Sequence, residues 1–87
     1  MTTKPPSQVQ EAPAGALEKV AYASVTTIPT QEPNDRNRLG YHIYRLLKTK
    51  QGTLEQAVSE SGSRLLISPS EAVKIIREAL LKEGITF

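Results

Sequence analysis

Two helix-start signals constrain this chain more than any other feature of its sequence. Thr53 opens the motif "TLEQ" and Ser68 opens the motif "SPSE", and both motifs suit a capped helix N-terminus. A hydroxyl side chain before a helix accepts a hydrogen bond from a backbone N–H of the first turn, and proline fits the first helical position. Residues 61–67, "SGSRLLI", therefore separate two short helices, the second of which is predicted to end at Gly84.

Residues 34–87 carry aliphatic side chains at the spacing of amphipathic helices. Another helix is predicted before the two above, with Asn34 or Asp35 as its N-cap and Gly52 at its end. Gly40 lies inside it at a cost of roughly 1 kcal/mol relative to alanine, which predicts a close approach to another element. The sequence thus predicts a mainly α fold, a three-helix domain with an apolar face formed by Leu39, Ile43, Leu46, Leu47, Leu54, Ala57, Val58, Ala72, Val73, Ile76, Ala79 and Leu80.

Five of the six prolines lie in residues 1–33, among mostly polar side chains. Because proline removes a backbone donor and this segment can bury little apolar surface, we predict a disordered, Pro-rich tail over residues 1–33. Residues 15–28, "GALEKVAYASVTTI", are less polar; their first half favours a short helix and their second half alternates like a strand. This segment is either a transiently structured linker or a peptide that folds on a protein partner, which it would contact through Leu17, Val20, Tyr22 and Val25.

The side chains that catalysis and metal binding require are scarce. The chain has no cysteine and one histidine, His42, without a cluster of carboxylates beside it in the sequence. It also lacks a glycine-rich phosphate loop. We therefore expect no catalytic residue, no metal and no cofactor, in a protein that is not an enzyme. No apolar run reaches the length of a membrane span, so we expect a soluble, cytoplasmic protein without a membrane partner.

Positive charge is concentrated in one part of the chain. The net charge is +2, but from residue 35 to residue 51 five basic side chains are opposed only by Asp35. A positive patch raises the local concentration of anionic partners, above all nucleic acid. The same charges are also typical of a helix face that is simply solvated, and the sequence leaves both interpretations open.

The segments "RLGYHIYRLLKTKQG", "TLEQAVSES" and "SPSEAVKIIREALLKEGI" resemble the helix-turn-helix and winged-helix superfamily of DNA-binding proteins, over residues 36–86. The resemblance implies two supporting helices and a recognition helix whose N-terminal polar side chains enter the major groove of duplex DNA. The connection over residues 61–67 is longer than the tight turn of the basic motif. The residues that the resemblance implies at base edges are Ser70, Glu71 and Lys74, with Arg77 nearer the DNA backbone. The backbone amides of Ser68 and Ser70 at the helix start would hold a phosphate, and Arg36, Arg38 and Thr53 would contact flanking phosphates.

Two functions follow as expectations. The first is a small sequence-specific DNA-binding transcription regulator, expected as a homodimer because one such unit contacts too little DNA for high specificity. Leu65, Leu66 or Leu81 would form the dimer contact. The second is a non-enzymatic protein–protein interaction module: an adaptor, an inhibitor or a small subunit of an assembly. It would use an exposed apolar groove between the first and third predicted helices, or the N-terminal tail.

Overall fold

The computed structural model describes residues 5–86, with side chains from residue 15 onward. The mainly helical class is confirmed, and no strand is present in this range. The number of helices differs from the predicted three, because a further helix lies inside the predicted tail. The four helices are α1 (Pro5–Ser24), α2 (Pro33–Thr49), α3 (Leu54–Glu60) and α4 (Pro69–Lys82).

The local signals at the ends of α3 and α4 are confirmed. Thr53 Oγ1 accepts a hydrogen bond from the N–H of Gln56 at 3.0 Å, and Gln56 Oε1 accepts one from the N–H of Thr53 at 3.2 Å. Ser68 Oγ accepts a hydrogen bond from the N–H of Glu71 at 3.2 Å. After α4, Gly84 adopts the left-handed backbone conformation that glycine favours, with φ of +80°. Both helices therefore begin where short-range chemistry predicts.

The start of α2 differs from the prediction. Its N-cap is Glu32 rather than Asp35 or the residue before it, because Pro33 fits the first helical position and brings the start forward. Asp35 consequently lies at the third helical position, where Oδ2 accepts a hydrogen bond from the N–H of Glu32 at 3.1 Å. At the other end Lys50 is left-handed, with φ of 57°, and Gly52 follows in the connection.

The prediction of a disordered tail is corrected for residues 15–33, which lie in α1, in the turn after it and at the start of α2. Ala21, Val25 and Ile28 are fully buried among the core side chains of α2, α3 and α4. The short helix predicted for the first half of residues 15–28 lies within α1. The second half, predicted as a strand, instead continues the helix to Ser24 and then turns, because packing against the other helices decides between the two. The tail before residue 5, and its side chains before residue 15, lie outside the described residues.

The helices are arranged as a ring around one core. α1 packs against α2 and α4, α3 packs against the same two helices, and α2 and α4 have no Cα atoms within 8 Å of each other over their described lengths. The exposed apolar groove predicted between the helices now called α2 and α4 is therefore occupied by α1. The buried core consists of Ala21, Val25, Ile28, Leu39, Ile43, Leu46, Leu47, Leu54, Ala57, Val58, Ala72, Val73, Ile76 and Leu80.

The α1–α2 and α3–α4 connections are joined to each other. Thr30 and Leu65 form an isolated antiparallel bridge. Beside it, the N–H of Gln31 donates to the carbonyl of Arg64 at 2.9 Å, and the N–H of Leu66 donates to a carbonyl of the α1–α2 connection at 3.0 Å. The bridge at Leu65 thus fixes the approach of the chain to α4.

Gly40 lies at the close approach that its position predicted. A Cβ added there would lie 2.7 Å from Cε1 of Tyr22, closer than carbon atoms tolerate. The ring of Tyr22 in α1 therefore occupies the space that a side chain at residue 40 would need. This contact allows α1 and α2 to pack closely at Gly40.

Candidate nucleic-acid interface

The first turns of α4 present a continuous set of polar side chains to solvent. The apolar side chains of α4 face the core, so the opposite side of the helix is exposed. Ser68 Oγ lies 3.3 Å from Ser70 Oγ, and it also accepts the N–H of Glu71. That N–H is therefore already paired, and Pro69 has none to offer a phosphate. Four of the predicted DNA-binding residues lie together on this surface: Ser68, Ser70, Glu71 and Lys74.

Arg77, one turn further along α4, connects this surface to α3. Its Nη2 lies 3.7 Å from Oε2 of Glu55, and both side chains are partly exposed. An exposed pair of this kind contributes little to stability because water screens it. Its effect is on orientation, since it holds the guanidinium of Arg77 at the side of α4 that faces α3.

The exposed charges on α4 nearly cancel one another over this region. Lys74 and Arg77 provide the positive charges, and Glu71 and Glu78 provide two negative charges on the same helix. A surface of this kind attracts phosphates only weakly. Any recognition by α4 would therefore depend on hydrogen bonds from its hydroxyl, carboxylate and ammonium groups rather than on a strong field.

Thr53 is not part of α4 and lies at the start of α3. Its hydroxyl caps that helix, and its side chain lines a groove of about 390 Å³ between α2 and α3. Most of the lining is polar: it includes His42 and Arg45 from α2, and Gln56 and Glu60 from α3. The groove is a shallow surface feature, and it gives His42 a partly exposed position on the side of α2 next to α3.

Arg36 and Arg38 are engaged in contacts of the fold. Arg36 Nε donates to the carbonyl of Ile28 at 3.1 Å, which fixes the α1–α2 connection to α2. Arg38 pairs with Asp35, whose carboxylate is fully buried, although the guanidinium of Arg38 remains about half exposed. Arg64 Nε lies 3.3 Å from Asp35 Oδ2. Arg36 and Arg38, two of the predicted phosphate contacts, therefore already have partners within the fold.

Burial raises the pKa of the Asp35 carboxyl, but opposing effects are larger together and hold the pKa below its ordinary value of 3.8. Hydrogen bonds from the backbone of Glu32 and Arg64 favour the carboxylate, as do the guanidinium charges of Arg64 and Arg38. Asp35 is therefore ionised at neutral pH, and it joins the start of α2 to the α3–α4 connection. The hydroxyl of Ser63 adds to this joint by donating to the carbonyl of Asp35.

The four residues predicted to contact a protein partner belong to α1 and the turn after it. Val25 is buried in the core, while Leu17 and Val20 are partly buried against it. Tyr22 is partly buried and contacts Gly40. These side chains contact the rest of the same chain, and this corrects their interpretation as a free peptide that awaits a partner.

Two features of the fold escaped the sequence interpretation. The central position of Asp35 was missed because an aspartate in a first helical turn is usually an exposed cap, and only the surrounding connections bury it. Arg64 lies in the connection between two predicted helices, and no residue near it in the sequence indicates a contact with Asp35. Pro29 and Pro33 lie in the α1–α2 connection and at the start of α2. They were the sequence features that could have indicated an earlier start of α2, and with it the position of Asp35 inside the first turn.

Among the described side chains, no three histidine, aspartate or glutamate residues lie together as a metal site would require. None of the four helices within residues 5–86 has the length and hydropathy that a membrane crossing needs. The chain matches no known protein family, no curated protein and no solved structure.

Proposed function

We propose that the protein is a small sequence-specific DNA-binding transcription regulator, with α3 and α4 acting as a helix-turn-helix. The observation that carries this proposal is the exposure of the first turns of α4. Ser70, Glu71 and Lys74 are all exposed there, on a helix whose opposite side is fixed in the core. An exposed N-terminal end of a rigid helix is the part of such a unit that reaches base edges in the major groove.

The chemistry of these side chains fits base contacts of different kinds. The ammonium of Lys74 can donate to the acceptors of guanine, the carboxylate of Glu71 can accept from the amino group of cytosine, and the hydroxyl of Ser70 can do either. Arg77, held beside α3 by Glu55, would contact a flanking phosphate. The carboxylate of Glu71 would then favour sequence-specific binding over nonspecific binding, because it repels a phosphate but accepts a hydrogen bond from cytosine.

The number of cations on α4 sets the expected dependence on salt. If Lys74 and Arg77 both neutralise phosphates, the affinity for duplex DNA falls about tenfold between about 50 mM and about 200 mM salt. This is a shallow dependence for a DNA-binding protein. A homodimer would double the number of contacts, and Leu66 and Leu81, which are 58% and 49% exposed, are the apolar side chains that its interface would bury.

The test is fluorescence anisotropy with a labelled random duplex of about 20 base pairs, at low and moderate salt. The double variant Lys74→Ala/Arg77→Ala should lose binding while its circular dichroism stays unchanged. The matched control is Lys19→Ala/Lys82→Ala, which removes the same charge from exposed positions at another surface. That control should bind within about twofold of the unmodified protein, because Lys19 and Lys82 lie outside the proposed interface and would neutralise no phosphate there.

An absence of binding at low salt, or an equal loss in both double variants, would overturn this proposal. The protein-interaction module would then be the better interpretation. Such a module has one binding surface fewer than expected, because α1 fills the groove between α2 and α4. A partner would have to bind an outer surface of the helical ring or take the place of α1.

A further inference from the structure

The outer face of α2 differs from that of α4 in both charge and aromatic content. Four side chains follow one another along it at intervals of three or four residues, which places them on one side of a helix. They lie opposite the core-facing side of α2, and we call them the α2 stripe: Arg38, Tyr41, Arg45 and Lys48. We infer that the α2 stripe is a binding surface for single-stranded nucleic acid, separate from the proposed duplex-binding surface on α4.

The rings and cations of this face are paired with one another. The guanidinium carbon of Arg45 lies 6.0 Å from the centre of the Tyr41 ring, and the ammonium of Lys48 lies 5.8 Å from the centre of the Tyr44 ring. The ring of His42 meets that of Tyr41 edge-on, with 5.8 Å between their centres. Tyr41 is nevertheless 49% exposed. Its ring is thus held in place by its neighbours and still accessible from outside.

The α2 stripe has little negative charge to oppose it. Asp35 is the acidic residue of α2, and its carboxylate is buried beneath the guanidinium of Arg38. Among the ion pairs of the described residues, none involves Arg45 or Lys48. Glu60, on α3, lines the same groove as Arg45. The face therefore keeps a larger positive excess than the first turns of α4.

The dimensions of the stripe suit a short length of a single strand. From Arg38 to Lys48 the helix rises about 15 Å, which is the length of about four nucleotides at the duplex rise of ~3.4 Å and of fewer when the strand is extended. Single strands bind by stacking bases on aromatic rings while cations follow the phosphates. Tyr41 between Arg38 and Arg45 offers that combination.

A single strand fits this surface better than a duplex or an acidic peptide does. The bases of a duplex are stacked on one another, so a tyrosine on a convex helix face cannot reach their flat surfaces. An acidic peptide would match the charge of the stripe but would leave the ring of Tyr41 without a planar partner. α2 and α4 do not approach each other, so this surface can be tested independently of the duplex-binding proposal.

The test uses the full chain and a fluorescent oligothymidine of about 12 nucleotides, with binding measured by anisotropy at about 50 mM salt. Tyr41→Ala should weaken binding about tenfold, because it removes a stacking surface. Tyr41→Phe keeps the ring and should stay within about twofold of the unmodified protein. Arg45→Ala/Lys48→Ala should weaken binding and make the slope of log affinity against log salt shallower by about 1.4.

Three controls make the result specific. Circular dichroism should be unchanged in every variant, and Lys19→Ala/Lys82→Ala should bind the oligonucleotide normally. Lys74→Ala/Arg77→Ala should also bind it normally, which separates this surface from the one on α4. The inference is overturned if the oligonucleotide does not bind, if Tyr41→Ala has no effect, or if Tyr41→Phe loses as much as Tyr41→Ala. Equally tight binding of polyglutamate would overturn it in favour of an acidic peptide.

Discussion

α1 and α4 pack against the same core, but different interactions hold them there. α4 is closed at both ends by its own chain: Ser68 caps its start, and Gly84 allows the N–H of Ile85 to return to the carbonyl of Leu80 at 3.0 Å. α1 ends in a turn over residues 25–27 and then runs into the buried Ile28. Its side of the core is built largely from small side chains.

The difference indicates which kind of interaction each helix depends on. α4 has local hydrogen bonds that favour a helix before any tertiary contact forms. α1 is favoured mainly by packing: Ala21 and Val25 are buried, and Tyr22 covers Gly40. Helices in folded proteins gain most of their stability from such tertiary packing rather than from local propensity. Substitutions that disrupt core packing should therefore lower the stability of the protein similarly at either helix. Substitutions that remove a helix cap should lower it at α4.

The largest expected effect tests whether the α1 side of the core is as well packed as the α4 side. Ile28 and Ile76 are both fully buried. Replacement of either by alanine should lower the free energy of unfolding by about 2–5 kcal/mol, measured by urea denaturation. The exposed neighbour Thr27 provides a control, since Thr27→Ala should change stability by less than about 0.5 kcal/mol. A negligible effect at Ile28 beside a large effect at Ile76 would restore the view of residues 1–33 as a tail.

The second prediction concerns the joint between α2 and the α3–α4 connection. The pKa of Asp35 is lowered in the folded protein, so its stabilising effect is present above pH 3.8 and is lost as the pH falls through the folded value. Asp35→Asn should reduce stability at neutral pH, because Arg38 and Arg64 lose their charged partner. Urea denaturation of both proteins at neutral and acidic pH should show their stabilities converging below pH 3.8. A constant difference across this range would contradict the assignment.

Two glycines sharpen the comparison of contacts between α1 and its neighbours. Gly40→Ala should destabilise the protein by about 1–3 kcal/mol, because the new methyl group meets the ring of Tyr22. Gly15→Ala in α1 meets nothing within 4 Å and should stabilise the protein by about 1 kcal/mol through helix propensity. Chemical denaturation measures both. In a Tyr22→Ala background the effect of Gly40→Ala should become smaller or change sign.

The smallest effect concerns the local signal at α4. Ser68→Ala removes the hydroxyl that accepts the N–H of Glu71 and should cost about 1 kcal/mol. Ser70→Ala is the matched control, because its hydroxyl is exposed and does not cap a backbone group in the described hydrogen bonds. Thermal denaturation followed by circular dichroism would compare them. Equal melting temperatures for the two variants would show that the cap adds nothing to the helix.

Much of the helical part after residue 34 could be predicted because its signals are local. Thr53, Ser68 and Gly84 each act within one helical turn, and the periodic aliphatic side chains identify the buried faces. α1 could be predicted only in part. Residues 15–21 favour a short helix, but residues 22–28 alternate like a strand, and packing against residues of α2 and α4 that are distant in sequence decides between the two.

The residues of the candidate site fall into the same two groups, those predictable from local pattern and those that depend on distant contacts. The exposure of Ser70, Glu71 and Lys74 follows from helical periodicity, and the sequence predicted it correctly. The contacts of Arg36 and Arg38 depend on how connections fold across the start of α2, which no local pattern encodes. Their assignment as flanking phosphate contacts stays a prediction. Each arginine would have to contact a phosphate while it keeps its present partner within the fold.

Amide hydrogen exchange tests the central claim most directly, namely that α1 is part of the core and fills the groove between α2 and α4. The backbone N–H groups of residues 20–24 should be protected to a degree comparable with those of residues 76–80, while exposed loop amides exchange fast. Exchange of residues 20–24 at the rate of an unstructured chain, beside strong protection of residues 76–80, would contradict the claim and leave the groove open.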